Sequence, residues 1–237
     1  MKSKYIWINQ KLLDYGDAQF HVLNHGLHYG TGVFEGIRFY KTSKGPAVFR
    51  LKDHIDRFIF SAKTMGMDIP YSKKDICEAV KRTIKENKLE EGYIRPIAFW
   101  GSKMGLVPEG ADLNVVIAAW SWGKYLKKEV VDVVISDIIR MHPSSSVMSA
   151  KISGNYANSV LASNEAKKKG FDEALLLDYE GYIAEGPGEN IFFVKDNQLH
   201  TPEKGTILPG ITRETVMELV SGKYEIRISV HKLIFKL

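Results

Sequence analysis

Lys151 stands in Ser149-Ala150-Lys151-Ile152-Ser153-Gly154-Asn155-Tyr156, between a strand-like run and the start of an amphipathic helix. An amine is a useful nucleophile only when unprotonated. Partial burial near other positive charge lowers its pKa enough to form a Schiff base with an aldehyde. The small neighbours Ala150, Ser153 and Gly154 leave room for a planar ring beside the backbone, and Tyr156 offers a phenol close by. A solvated lysine at a helix start is the competing reading, and only the rest of the chain decides between them.

Two further stretches suit a ring-shaped, phosphorylated partner. Tyr182-Ile183-Ala184-Glu185-Gly186-Pro187-Gly188-Glu189-Asn190-Ile191 sets two carboxylates around a tight loop. A carboxylate there can keep a ring nitrogen protonated, which a pyridine-based cofactor needs to act as an electron sink; a water-facing polar hairpin is the alternative. Leu208-Pro209-Gly210-Ile211-Thr212-Arg213-Glu214 is a turn running into a helix, whose free N–H groups and positive dipole end make a phosphate cup. A threonine-capped helix without a ligand fits the same residues. Arg57, in Asp53-His54-Ile55-Asp56-Arg57-Phe58, either grips a phosphate bidentately or pairs with Asp53 or Asp56. His54 has no second histidine at metal spacing, which favours a structural role. The glycines of Gly26 to Arg38 resemble a nucleotide loop only loosely, since no dinucleotide-binding strand-helix unit surrounds them.

The elements that must position these groups read as α+β. Tyr5 to Ile8, Gln19 to Val22, Val33 to Tyr40 and Ala47 to Phe49 are expected as antiparallel strands, with hairpin turns at Asp14-Tyr15-Gly16-Asp17 and Ser43-Lys44-Gly45-Pro46. Ile55, Phe58, Ile59, Ala62 and Met65 line one helical face; Ile76, Ala79, Val80 and Ile84 line a second after the break at Pro70-Tyr71-Ser72. Strands return at Tyr93 to Trp100 and Leu113 to Trp120. The aperiodic run from Trp122 to Lys128 is the expected linker between a small N-terminal domain, 1–121, and a larger one, 129–237. In the second domain a strand is expected over Val130 to Ile139 and a helix over Tyr156 to Lys169 that stops at Gly170. A meander of short strands follows at Ala174 to Leu177, Tyr182 to Ala184, Ile191 to Val194 and Leu199-His200, with turns at Asp178 to Gly181 and Lys195 to Asn197.

Composition narrows the class. A hydrophobic content of 44% over 237 residues supports a substantial core, and the charged share of 26% is close to the ordinary value of about 25%. The formal charge of +5 and pI near 9.0 suit an enzyme handling anionic metabolites, while no basic block interleaved with aromatics marks a nucleic-acid track. Cys77 is the only cysteine, so an internal disulfide and a cysteine metal site are excluded and a reducing compartment is expected. With no signal sequence and no run long enough to span a bilayer, the expected location is the cytoplasm.

Five blocks in order carry a resemblance: His28-Tyr29-Gly30-Thr31-Gly32-Val33-Phe34-Glu35-Gly36-Ile37-Arg38, Tyr93-Ile94-Arg95-Pro96, Lys151 with Gly154-Asn155-Tyr156, Glu185-Gly186-Pro187-Gly188-Glu189-Asn190, and Leu208-Pro209-Gly210-Ile211-Thr212-Arg213. Together they resemble the branched-chain amino acid aminotransferases, which are fold-type IV pyridoxal-phosphate enzymes. The resemblance implies a two-domain architecture: a small N-terminal α/β domain and a larger C-terminal pseudo-barrel. It implies that Lys151 forms an aldimine with pyridoxal 5'-phosphate and shuttles a proton. Glu185 would pair with the pyridine nitrogen and Tyr156 with the phenolic oxygen, while Arg57 and the N–H groups of Ile211 and Thr212 would hold the phosphate. Tyr29, Phe34 and Tyr125 would line an apolar pocket for valine, leucine and isoleucine. Tyr93 would touch the α-carboxylate, and Arg38 and Arg95 would serve the second carboxylate of glutamate or 2-oxoglutarate. A homodimer or higher homo-oligomer of small-molecule specificity is implied, with a partner subunit contributing to the site. D-amino acid aminotransferases and aminodeoxychorismate lyases share the lysine and the ring-nitrogen carboxylate, but the Tyr29 to Arg38 block and Tyr93-Ile94-Arg95 favour the branched-chain member.

The match fades after about Leu219. The family continues into a Gly-Thr-small turn that supplies N–H groups to phosphate and substrate; here Gly-Thr occurs only at Gly30-Thr31 and Gly205-Thr206. The expectation is a C-terminally truncated member with an incomplete large domain and weakened transamination. The alternative is a non-catalytic remnant or dimer partner.

Overall fold

The computed structural model describes residues 3–123, 128–195, 197–222 and 225–229, the last stretch for its backbone only. Two compact units are present: Met1–Lys127 with Ala150–Gly154, and Lys128–Ser149 with Asn155–Leu237.

The first unit is a seven-stranded antiparallel sheet with helices against it. Its elements are β1 (Tyr5–Ile8), β2 (Lys11–Asp14), α1 (His25–Tyr29), β3 (Val33–Phe34), β4 (Ile37–Thr42), β5 (Gly45–Val48), α2 (Leu51–Thr64), α3 (Lys73–Glu86), β6 (Gly92–Trp100) and β7 (Leu113–Trp120). The order is β2-β1-β7-β6-β4-β5, with β3 also pairing β6. β6 and β7 run opposite each other from Tyr93↔Trp120 to Trp100↔Leu113, and their alternation puts Ile94, Ala98, Val115 and Ile117 into the core. α2 buries Ile55, Phe58 and Ala62 there, and α3 buries Ile76, Val80 and Ile84, as the helical spacing predicts. A capping box fixes the start of α3: Ser72 Oγ accepts from the Asp75 N–H, and the Asp75 carboxylate accepts from the Ser72 N–H.

Three local expectations are corrected in this unit. The first hairpin turns at Asn9-Gln10, not at residues 14–17, and both turn residues have positive φ, 46° and 73°. Asn9 is held there by tertiary bonds: its side chain accepts from the Val115 N–H and donates to Asn114. Gln19 to Val22 is loop rather than strand; the Gln19 amide donates to the Gly16 carbonyl and the Phe20 ring packs edge-on against Phe99. The strand expected over Val33 to Tyr40 is broken at Glu35-Gly36 into β3 and β4. Opposite the break lies Pro96, whose carbonyl accepts the Glu35 N–H and whose missing N–H falls where β6 changes partner from β4 to β3.

The second unit contains β8 (Val133–Ile135), a short 3-10 turn (Ser153–Asn155 in part), α4 (Tyr156–Lys168), β9 (Glu173–Leu177), β10 (Ile183–Glu185), β11 (Phe193–Lys195), β12 (Gln198–Pro202), α5 (Ile211–Val220) and β13 (Glu225–Ser229). The strands form two three-stranded sheets, β10-β9-β8 and β11-β12-β13, each with one parallel pair. The strand expected over residues 130–139 is confined to β8; after it, Ser136 and the Asp137 N–H turn to the Glu165 carboxylate of α4. α4 packs Ser159, Ala162 and Ala166 inward, at three-and-four spacing, and leaves Val160 and Leu161 exposed. Gly170 adopts a φ of +86° where the helix ends. The turn residue Asp196 lies outside the described residues, as does most of the expected linker. No helix among the described residues is long and apolar enough to cross a membrane.

Candidate active site

Lys151 belongs to the first unit with Ala150–Gly154, although the chain on either side of that segment, up to Ser149 and from Asn155, belongs to the second. Its backbone is clamped on two sides: its N–H donates to Ser61 Oγ of α2 at 2.9 Å, and its carbonyl accepts the Phe34 N–H of β3 at 3.1 Å. The bridge Val33↔Ile152 and the bonds Ser153 N–H to Gly32 O and Gly154 N–H to Gly30 O continue the pairing. Gly154 is small for a reason other than room for a ring: a Cβ on it would come 3.0 Å from the Gly30 carbonyl oxygen.

The amine lies 5.1 Å from the centre of the Phe34 ring. Burial pulls its pKa down, from 10.5 to about 8; the Glu35 carboxylate opposes this, Arg57 reinforces it, and Tyr93 and Arg95 make smaller contributions of opposite sign. An amine that parts with its proton near neutrality is what nucleophilic attack on a carbonyl requires.

Arg57 pairs with neither of the acids considered from sequence. Its Nε donates to Glu35 Oε1 at 2.7 Å and its Nη2 to Glu35 Oε2 at 2.9 Å, while Arg50 engages Asp53 and Lys73 engages Asp56. His54 Nδ1 lies 2.7 Å from the same Glu35 Oε2. Burial pushes the Glu35 carboxyl up, but hydrogen bonds and charge from His54 and Arg57 outweigh it and hold the pKa at about 2. His54 is thus a structural partner of a buried acid.

Around Phe34 the first unit collects further expected residues. The Arg95 guanidinium lies 4.6 Å from the Phe34 ring centre, on a ring that also meets Lys151, and Arg95 Nη2 donates to the Tyr93 hydroxyl at 3.1 Å. Arg95 Nε is buried with no hydrogen-bond partner among the described residues. Gly36 makes room for Tyr93: a Cβ there would fall 1.9 Å from the phenolic oxygen. Arg38 is not gathered to this cluster by its bonds; its Nη1 donates to the carbonyls of Trp122 and Gly123 at 2.9 Å. Tyr29 ends α1, where its hydroxyl accepts from the Gly105 N–H and its ring packs on buried His25. Tyr125 lies outside the described residues.

In the second unit Glu185 ends β10 with its side chain buried, which decides against a water-facing hairpin. Oε1 accepts from Arg140 Nε at 2.7 Å, Oε2 accepts from Asn190 Nδ2 at 2.9 Å, and the Leu208 N–H approaches both at 3.2 and 3.3 Å. Glu189 instead folds into the loop, accepting from the Gly188 N–H. α5 begins at Ile211 with Gly210 as N-cap and no side-chain cap, so threonine capping is not what terminates it. Arg213 moors this end, donating from Nε to Thr201 Oγ1 and from Nη2 to the Pro202 carbonyl while 1% exposed. Thr212 is exposed, and Tyr156 opens α4 half-buried.

Glu35, Arg140 and Arg213 escaped the sequence reading. Glu35 follows Val33-Phe34 and Arg140 follows Ile138-Ile139, and a charge beside such an apolar run calls for a buried partner; Arg213, between Thr212 and Glu214, carries no such signal.

The family model for class IV amino-transferases matches residues 32–234. A branched-chain-amino-acid aminotransferase of Pseudomonas aeruginosa is 49% identical over 221 residues, which cover 91% of this chain and 72% of that protein. The crystal structure of the branched-chain amino acid aminotransferase of Escherichia coli superposes with a TM-score of 0.93 at 42% identity, covering 96% of this chain and 78% of that one. The branched-chain amino acid aminotransferase of T.th., solved with N-(5'-phosphopyridoxyl)-L-glutamate, superposes with a TM-score of 0.92 at 44% identity, over 96% of this chain and 77% of that one. With nearly its whole length matched by the family model and by relatives of this identity, the chain belongs to the class IV amino-transferases, among the branched-chain-amino-acid aminotransferases.

Proposed function

We propose that this chain uses pyridoxal 5'-phosphate to exchange the amino group between branched-chain L-amino acids and 2-oxoglutarate. The residues suit that cofactor in three independent respects: an amine held at a pKa of about 8, a buried carboxylate oriented by three donors, and a helix start without a side-chain cap. When bound, pyridoxal 5'-phosphate withdraws electron density from the substrate α-carbon and so makes its proton removable.

The chain's own residues supply the rest. Lys151 would hold the cofactor through its aldehyde carbon and, once released by the substrate amine, would carry the proton to and from the α-carbon. Glu185 keeps a proton at the ring nitrogen, and its neighbours Arg140, Asn190 and Leu208 fix its direction. Tyr156 bonds the phenolic oxygen. Arg57 with the N–H groups of Ile211 and Thr212 binds the phosphate. Phe34 and Tyr29 serve the apolar side chain of the substrate, Tyr93 meets the α-carboxylate, and Arg95 and Arg38 accommodate the second carboxylate of 2-oxoglutarate. The observation that carries this reading is the clamped, pKa-lowered Lys151 over Phe34.

We further propose a homodimer in the cytoplasm. Phe20, Val22 and Leu27 are 42%, 63% and 69% exposed in the single chain and line a cavity of about 330 Å³ with Phe99, an apolar surface that self-association would cover. Sedimentation of the purified chain, and of Leu27→Asp, tests it; a parent that sediments as a monomer refutes it.

The function is tested on the purified chain mixed with pyridoxal 5'-phosphate. A near-ultraviolet or visible band that Lys151→Ala abolishes, together with glutamate formed from leucine and 2-oxoglutarate, is the expected result. A soluble chain that never takes up the cofactor overturns it.

A further inference from the structure

Glu35 takes no direct part in the chemistry, yet it is 0% exposed, and a buried carboxylate is retained in a core only at considerable desolvation cost. It sits at the break between β3 and β4, with its N–H fixed by the Pro96 carbonyl at 2.9 Å. Its two oxygens take one whole edge of the Arg57 guanidinium, at 2.7 and 2.9 Å, so the plane of that group is set by Glu35. His54 locks the arrangement from the same helix as Arg57, at 2.7 Å. Among the described residues, the charged and titratable groups acting on Lys151 include Glu35, Arg57, Tyr93 and Arg95, and the Glu35 carboxylate opposes the Arg57 and Arg95 guanidinium groups.

We propose that Glu35 is a positioning residue with two tasks: its carboxylate aims Arg57 at the phosphate of the cofactor, and it is the counter-charge to Lys151 within a buried setting that also holds the Arg57 and Arg95 guanidinium groups. The first task rests on the function proposed above. The second stands without it. Both follow from one geometry: a single carboxylate bonded edge-on to one cation and adjacent in sequence to Phe34, whose ring and N–H contact the lysine.

The test compares the full-length parent with Glu35→Gln, Glu35→Asp and Arg57→Lys. Dissociation constants are measured for pyridoxal 5'-phosphate and for pyridoxal, which lacks the phosphate. In the cofactor-free chain, the Lys151 titration is followed by NMR of ¹³C-methylated lysines, with Lys151→Arg assigning the signal. Glu35→Gln is expected to bind pyridoxal 5'-phosphate at least about tenfold more weakly, the scale of one charge-assisted pair, with pyridoxal changed less than about twofold. Arg57→Lys keeps the charge but not the fork, and is expected to show the same selective loss. Lys151 in Glu35→Gln should release its proton at about tenfold higher hydrogen-ion concentration, whereas Glu35→Asp should leave that titration in place and still weaken phosphate binding. Retention of pyridoxal 5'-phosphate within about twofold by Glu35→Gln or Arg57→Lys overturns the aiming role. If Glu35→Gln does not fold, Arg57→Lys decides aiming, and a Glu35→Asp chain whose Lys151 titrates away from the parent overturns the counter-charge. A parent that binds no pyridoxal 5'-phosphate sinks the proposed function and the aiming role with it, whereas the Lys151 titration still decides the counter-charge.

Discussion

Arg140 Nε donates to Glu185 Oε1 at 2.7 Å with the two side chains 8% and 7% exposed, so the second unit contains a nearly dry ion pair. Asn190 takes the other carboxylate oxygen, which leaves Glu185 with a single available orientation. Removing one member of such a pair strands the other charge without water, and the penalty outweighs the net value of the bridge itself. Arg140→Met is therefore expected to destabilise the second unit by about 3–5 kcal/mol, and Arg140→Met/Glu185→Gln by clearly less than the sum of the single changes. Urea unfolding by far-ultraviolet circular dichroism measures the cycle; additive losses would contradict the pairing.

Lys151 links stability to alkaline pH. Its pKa is about 8 in the folded chain against 10.5 when free, so between those values the unfolded chain binds more protons and stability rises with pH. The cost at neutral pH is on the order of 3 kcal/mol, relieved as pH climbs from about 8 towards 10.5. The four tryptophans all lie in the first unit and report its unfolding. The expected outcome is a parent that gains stability relative to Lys151→Met between pH 7.5 and 9.5; a constant difference would count against the buried amine.

Gly36 and Tyr93 compete for one volume. A Cβ at residue 36 falls 1.9 Å from the Tyr93 oxygen and 2.8 Å from Cζ, so Gly36→Ala must displace the ring that Arg95 bonds. A loss of about 1–3 kcal/mol is expected from overpacking, with partial recovery in Gly36→Ala/Tyr93→Phe, because the oxygen is gone but the ring carbon still crowds. Thermal denaturation of the three variants checks the order.

Arg213 is expected to matter for where α5 begins rather than for charge. Its bonds to Thr201 and Pro202 tie the first turn of the helix to β12, and burial lowers its pKa. Arg213→Met keeps much of the volume but leaves Thr201 and the Pro202 carbonyl short of a donor, costing about 1–3 kcal/mol. Hydrogen exchange should then quicken at residues 211–215 before it does in β12; uniform exchange would argue that the arginine only fills space.

The sequence was most legible where pattern and packing agree. α2, α3, β6 and β7 announce themselves because each buries one regular face; of the residues spaced on the two helical faces, Ile55, Phe58, Ala62, Ile76, Ala79, Val80 and Ile84 are buried, while Ile59 and Met65 are partly so. What stayed hidden depends on partners far along the chain. Neither residue of the Asn9-Gln10 turn is glycine, and the bonds that hold Asn9 come from Asn114 and Val115. Glu35 looked like an interior strand residue because the partners that make its burial tolerable, His54 and Arg57, arrive 19 and 22 residues later. The resemblance named Lys151, Glu185 and Arg57, but local pattern did not disclose which acid Arg57 meets or that Arg140 stands behind Glu185.

The detour of Ala150–Gly154 has a consequence for biosynthesis. Ala150 and Ile152 are part of the first unit's hydrophobic core, yet they are translated after the opening residues of the second unit. A ribosome that has released the first 127 residues has therefore delivered a sheet and its helices with a slot beside β3 still unfilled. N-terminal folding during synthesis cannot be completed for this unit until at least residue 154 has cleared the exit tunnel, and the nucleophile arrives in the same stroke that closes the core.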